Sequence, residues 1–408
     1  MKETTTPDNL EIDSNLKVDS SIKNNEEDEK KDNERIDNEL SPNITSNEPT
    51  SKKKIPFFLA VTGKIFAVIG VTLVMIVFCL YFVMLVCTKG PSTRVRDLFV
   101  MSVRETSAVG FLANWYVSDD EIAAIENANK FEETDEVTDI SIVSINYAST
   151  SDSSETVSDL ESANSYIVET NYDKEITVEN GMEFHSIEGS TFTGTMVIVK
   201  DPSRVFVGIP RDSYTGEAGL SVPDIATRYG AELAVNGGFF VDTNGCGNGG
   251  TPIGFVFSEG TQRYGGQNTV YNMMGFNDDG ILICGRMTGS EAASYGIRDG
   301  LSCDPFLVIN GEKMNVSGSG GGLNPRTAIG QRADGTVLIL VIDGRQATSL
   351  GASLSDVADV MLAFGAVNAG NLDGGGSTVL YYEGEIKNVV MSIYGARGVP
   401  DAICVKPE

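Results

Sequence analysis

Histidine is almost missing from this chain, with one residue in 408, His185. A Ser-His-Asp hydrolase needs an imidazole beside its serine, and no serine here lies in a GxSxG elbow, so the sequence argues against that chemistry. The same shortage argues against a zinc site, because the six cysteines show no CxxC spacing. Four of them, Cys246, Cys284, Cys303 and Cys404, allow three disulfide pairings that sequence does not rank, with buried free thiols as the equal alternative. No GxxxxGK[ST] string occurs, which rules out a P-loop. Basic charge is scarce too. Lys and Arg number 30 against 57 Asp and Glu, for a net charge of −27, so no basic field exists to hold nucleic acid.

The acids are unevenly placed. Residues 1–51 hold 14 acidic and 6 basic side chains, and residues 118–175 hold 16 and 2, so the rest of the chain is close to neutral. Between these segments runs an uncharged apolar stretch, Ile65 to Cys87, long enough to cross a hydrocarbon core of about 30 Å. It has no polar face, and the polar tail ahead of it argues against a cleaved signal peptide. Lys52, Lys53, Lys54 and Lys64 on one side balance Lys89, Arg94, Arg96 and Arg104 on the other, so the positive-inside rule does not orient it. The cysteines lean toward an outward-facing C-terminal region.

The expected organisation is a disordered acidic cytoplasmic tail (1–54), a transmembrane signal anchor (55–87), a juxtamembrane helical stalk (88–131), an acidic Ser/Thr-rich linker (132–175) and a final domain (176–408). Within the stalk, 95–101 and 118–122 read as short amphipathic helices, the second capped by Ser118, and Trp115 and Tyr116 suit a lipid or protein interface. The linker is expected to hold the last domain away from the membrane.

From about 176 short apolar runs alternate with glycine turns. Strands are expected at Thr195–Val199, Arg204–Gly208, Leu233–Val235 and, most clearly, Val337–Ile342. Helices are expected from Pro223 after Ser221 and from Ser353 to Phe364, with Leu354, Val357, Ala358 and Met361 on one face. The result is a mixed α/β (α+β) domain with glycine-rich loops at strand ends. Polar clusters sit beside those ends: Asn236-Gly237-Gly238, Asn324-Pro325-Arg326-Thr327, Asp343-Gly344-Arg345 and Asp373-Gly374-Gly375-Gly376-Ser377-Thr378. Such loops, distant in sequence, suggest one assembled site beyond the strand ends.

Five strings in order resemble the phosphodiester glycosidase family: NGGFF at 236–240, GTPIGFVFSEG at 250–260, NPRTAIG at 324–330, VIDGR at 341–345 and NLDGGGST at 371–378. The resemblance covers roughly residues 176–408 and implies cleavage of a sugar-1-phosphodiester, of the N-acetylglucosamine-1-phosphate type. The loop Val241 to Gly249 and the run Ser302-Cys303-Asp304-Pro305 depart from the family pattern, which leaves substrate choice open.

On that basis Arg326 is the expected phosphate ligand and Asp373 the general base or nucleophile, with Asp343 as partner. Asn236, Gly237, Gly238 and Thr327 would contact substrate. The amides of Gly374, Gly375, Gly376 and Ser377 would assist on phosphate, while Ser377 and Thr378 orient Asp373. Each residue has a structural alternative: Arg326 pairing with Asp343 or Asp373, Asp343 capping a turn, Asn236 serving a turn. No cofactor is expected, although a divalent cation held by the two aspartates is compatible with the sequence. The expected partners are a cell-wall or capsular glycan substrate and the membrane through 65–87. The rival readings are a non-catalytic glycan-binding or envelope-scaffolding module on the same fold, and cleavage at P–O instead of C–O.

Overall fold

The computed structural model describes residues 57–106, 109–145, 172–245, 247–392 and 395–408. The tail expected over 1–54, most of the acidic segment beyond 145, and Cys246 lie outside the described residues. Contacts divide the chain into two units, 1–68 and 69–408, and the described part of the first is the opening of one long helix.

That helix, α1 (Phe57–Lys89), contains an 18-residue window with a mean hydropathy of 2.8 and is long and apolar enough to cross a membrane. After a turn at Gly90 the chain forms α2 (Thr93–Arg104), with the Ser92 hydroxyl accepting from the Val95 amide. A 3-10 turn, Gly110–Trp115, follows, then α3 (Asp119–Ala128), where Ser118 caps and Asp119, Asp120 and Glu121 fill the positive first turn. Val100, Met101, Ala113, Val117, Ile122 and Ile125 bury one another, so this small unit has its own core.

The expected linker is not one over its described part. Residues 132–145 lie along the domain: Glu132 N donates to Asn315 O (2.9 Å), Thr138 N to Cys284 O (2.9 Å) and Ser144 N to Ala333 O (2.7 Å). Phe131 just ahead of the segment and Thr138 and Val143 within it are buried, and these side chains fix it against the domain while its carboxylates face water.

Among the described residues the domain contains three sheets, and every strand pairing is antiparallel. This makes it a mixed α+β fold without the parallel crossovers of an α/β sheet. The large sheet runs in the order Asp173–Glu179, Met182–Glu188, Thr193–Val199, Val337–Ile342, Arg326–Arg332, Ala366–Asn371, Phe306–Ile309, Glu312–Lys313. A second sheet runs Thr261–Tyr264, Val256–Ser258, Ile297–Ser302, Val270–Asn277, Leu282–Thr288. The third runs Glu385–Ile386, Leu380–Tyr382, Leu233–Asn236, Ala402–Val405, Val205–Gly208.

Val337–Ile342 explains why one strand is apolar throughout. Val337, Ile339 and Val341 join the core between the sheets, and Leu338, Leu340 and Ile342 join a second core under the helix Leu354–Ala363. Period-two side chains buried on both faces leave no polar position. The helix begins at a capping box in which Ser353 and Asp356 bond reciprocally. Cys284, Cys303 and Cys404 are buried free thiols, and burial pushes Cys284 and Cys404 up to about 12.

Candidate active site

The strand Leu233–Asn236 delivers Asn236 to a wholly buried position. Its Nδ2 donates to the Asp373 carbonyl (2.6 Å), and its Oδ1 accepts from Thr327 Oγ1 (2.7 Å) and the Val379 amide (3.3 Å). Asn236 and Thr327 were both expected to touch substrate. With no exposed polar atoms, they instead lock together the strand ends that carry the site. Asp373 N donates to Gly237 O (3.1 Å), so the NGG turn holds the catalytic candidate by its backbone. Below that turn Asp401 Oδ1 accepts from Gly238 N (2.6 Å), and a Cβ at Gly237 would come within 2.0 Å of the same oxygen. Only glycine fits there, and it serves packing rather than ligand contact.

Asp373 follows the strand Ala366–Asn371 at the base of the glycine run and is half-buried. Burial raises its pKa to about 6, opposed by hydrogen bonds from Ser377 and the Gly374 amide (2.9 Å) and by the Arg397 charge. Ser377 thus bonds the Asp373 carboxylate. The buried Thr378 hydroxyl has no partner in the structure. The glycine run does not form an open phosphate nest: Gly374 N turns to Asp373, Gly375 N to Pro325 O (2.9 Å) and Ser377 N to Gly374 O (3.1 Å). Of these four amides, Gly376 alone has no such internal partner.

Arginines gather around this carboxylate. Arg345, which the VIDGR string contains but the sequence argument assigned no role, lies over the glycine run, its guanidinium 3.0 Å from where a Cβ on Gly375 would sit. It adopts φ +58, a strained conformation for a side-chain-bearing residue, and Nη2 and Nε both donate to Asn324 Oδ1 (2.9 and 3.1 Å). Burial and the Arg326 charge lower its pKa, while Glu105 and Asp373 raise it, which places all four groups in one field. On the opposite flank Arg397 pairs with Asp242 (2.8 Å) and lies 4.6 Å from the Phe240 ring centroid. Asp242 is also felt by Asp373. The string Arg397 to Ala402 resembles the family's closing strand without giving Arg397 a role, and Asp242 lies in the divergent loop Val241 to Gly249; convergence of the loops brings both to the site.

Arg326 is buried and is held by neither aspartate. Its Nη2 donates to Glu105 Oε2 (2.6 Å) and Gly322 O (2.7 Å), and Nε donates to Ala352 O (3.1 Å). Glu105, just beyond α2, also accepts from Gly322 N (2.7 Å) and Asn324 Nδ2 (2.8 Å), and its neighbour Thr106 accepts from Arg345 Nη2 (2.8 Å). The stalk therefore places a carboxylate directly on the Arg326 guanidinium. Asp343 faces elsewhere: Oδ1 accepts from Val389 N (3.0 Å), Asn388 bonds it as well, and burial raises its pKa. Among the described residues it shares no hydrogen bond or ion pair with Asp373 or Arg326. No three His, Cys, Asp or Glu side chains among the described residues are grouped as a metal would require.

Fold and site together define a mixed α+β domain with a shielded carboxylate set among arginines at converging strand ends. A family model described as phosphodiester glycosidase matches residues 229–406, within the C-terminal domain. The SPbeta prophage-derived protein YomE of Bacillus subtilis (strain 168) is 31% identical over 175 residues, covering 42% of this chain and 24% of that protein. N-acetylglucosamine-1-phosphodiester alpha-N-acetylglucosaminidase of Mus musculus is 28% identical over 224 residues, covering 49% of this chain and 41% of the enzyme. The chain thus spans less than half the length of these relatives. The zebrafish catalytic domain of the same enzyme, described as auto-inhibited by pro-peptide, superposes with a TM-score of 0.49 at 20% identity, covering 58% of this chain and 87% of that one.

Proposed function

We propose that the chain is a membrane-anchored hydrolase of sugar-1-phosphodiesters, with α1 as a single span and the C-terminal domain facing outward to cell-surface glycans. The observation that carries this reading is Asp373. Its carboxylate is lifted toward neutrality and held by Ser377 within reach of the Arg345 and Arg397 charges. Such a group is ionised at neutral pH yet basic enough to take a proton from water. In this reading Asp373 removes a proton as the water oxygen bonds to the anomeric carbon. The bond from that carbon to the phosphate oxygen breaks, and the electron pair leaves with the phosphate. A phosphate departs as a stable anion, so no separate general acid is required. Arg345 and Arg397 neutralise the phosphate, and Arg326 joins them once Glu105 has moved away. Asn236 and Thr327 act beneath the site by fixing Asp373.

Mouse and bovine relatives are named for N-acetylglucosamine-1-phosphodiester substrates, which makes that sugar the first to try. The test follows free sugar released from an N-acetylglucosamine-1-phosphodiester by the whole chain in detergent, beside Asp373→Asn. Release by wild type and not by the variant supports the glycosidase. If phosphate chemistry occurs without freeing the sugar, cleavage is at P–O. The second reading, a non-catalytic glycan-binding module, draws on the Glu105–Arg326 pair, which leaves the anion site already filled (2.6 Å). Sugar binding without turnover, in wild type and in Glu105→Gln alike, would establish that reading instead.

A further inference from the structure

The stalk carries an apolar surface that no described residue of the domain covers. In the 3-10 turn Gly110–Trp115, Ala113 is buried against α2 and α3, while Phe111 and Trp115 remain 56% and 66% exposed. Their rings pack edge to face at 5.8 Å and form one continuous patch. From Thr106 to Ser118 the sequence contains no charged residue. Two large exposed rings with no charge along thirteen residues are costly in water, because each ring buries 150–250 Å² when covered.

Position along α1 indicates what covers them. The Tyr116 ring lies 5.6 Å from that of Tyr81, so the 3-10 turn folds back alongside the apolar helix. Tyr81 precedes Cys87, where the apolar run ends, by six residues, or about 9 Å along the axis. A bilayer crossed by α1 would therefore reach the level of Tyr116. Interfacial segments bury their apolar face about 5–10 Å into the headgroup and acyl boundary, the same depth. Aromatic rings, tryptophan above all, collect in that layer. Of the neighbouring acids, Glu121 pairs with Arg96 (2.9 Å) and Glu126 with Arg104 (3.1 Å), while Asp119 and Asp120 are exposed in the first turn of α3, on the aqueous side of the patch in this arrangement.

We propose that the turn Gly110–Trp115 is a lipid-contact surface, with Phe111 and Trp115 entering the interface of the bilayer that α1 crosses. The inference rests on the anchor proposed above and adds a second contact. The domain is then seated on the membrane through the stalk, not suspended from it on a tether. Because α2 leads from this region to Glu105 on Arg326, the site is held close to the bilayer surface, within reach of membrane-linked glycans.

Trp115 is the only tryptophan in the chain, so intrinsic emission reports on it alone. The whole chain would be reconstituted in phosphatidylethanolamine–phosphatidylglycerol vesicles with or without brominated acyl chains, and vesicle flotation would report α1 separately. The expected result is co-flotation, a fall in emission of about half with brominated lipid, and weak quenching by aqueous acrylamide. Phe111→Asp should reverse both quenching results while flotation persists. A chain that floats but whose Trp115 is quenched by acrylamide and not by bromine overturns the contact alone. Protection from both quenchers assigns the patch to a protein partner and also overturns it. A chain that fails to float removes the anchor, and this contact with it.

Discussion

In the proposed reaction Asp373 would couple turnover to pH through its surroundings. Burial raises its pKa to about 6, so the carboxylate ionises as pH rises through that value. A general base works when ionised, so kcat/KM should fall about tenfold per unit below pH 6 and level off above it, as a pH–rate profile would record. Asp373→Asn should lower kcat about 10²–10⁴-fold with little change in melting point. Asn236 should behave differently, since three of its bonds are internal. Asn236→Ala strands the Thr327 hydroxyl and Val379 amide, at a cost of roughly 2–3 kcal/mol, and should depress kcat more than it raises KM. A rise in KM alone would restore it as a substrate contact.

Asp401 is 1% exposed, with Oδ2 unpartnered, and burial raises its pKa to about 7. The folded state binds this proton more tightly than the unfolded chain, whose pKa is near 3.8, so the stability involved is full below 3.8 and lost as pH rises through about 7. Asp401→Asn cannot ionise. Its melting point relative to wild type should climb between those values and stay level beyond, and a difference independent of pH would show that Asp401 does not titrate there. At this scale the sequence is legible where partners are close in the chain, as for Ser377 bonding Asp373. The string Arg397 to Ala402 resembles the family's closing strand but gives Arg397 and Asp401 no role, and nothing marks Asp242; their places depend on loops meeting across 24 to 163 positions.

Elements were easier to read than their partners. Ser118, Ser221 and Ser353 each cap the helix that their sequence context predicts, because capping is a local bond. The sheet order was not legible, since antiparallel pairing here depends on turns such as Asn180-Gly181 and Asn310-Gly311, all at positive φ, which redirect the chain without an apolar signature. The least legible element is the end of α2. Nothing near Glu105 marks it as a partner for Arg326, 221 positions away. If that carboxylate occupies the phosphate position, Glu105→Gln should raise kcat/KM several-fold while lowering the melting point, because Arg326 is left buried without its counter-charge. Activity and stability falling together would make Glu105 a structural part of the site.

At the scale of the whole molecule, the boundary expected at 176 separates segments that fold together. Phe131 and Val143 are buried, Thr138 exchanges bonds with Cys284 at 2.9 and 2.8 Å, and Ser102 and Glu105 bond to Leu323 and Gly322. Composition hid this, because acidic Ser/Thr-rich sequence is what linkers also use, and a few buried side chains among many carboxylates barely change the average. A fragment starting at Ile176 would expose the surface under Phe131 and Val143, a loss of roughly 3–5 kcal/mol as an upper bound. It would also leave Arg326 without Glu105. A fragment starting at Pro91 keeps both. The shorter one should therefore melt roughly 10 °C lower in a calorimetric scan, with Cys284 reacting more readily with a thiol reagent below the transition. Equal midpoints and equal thiol protection would mean that 91–145 contributes no stability, and that the stalk rests on the domain without being part of it.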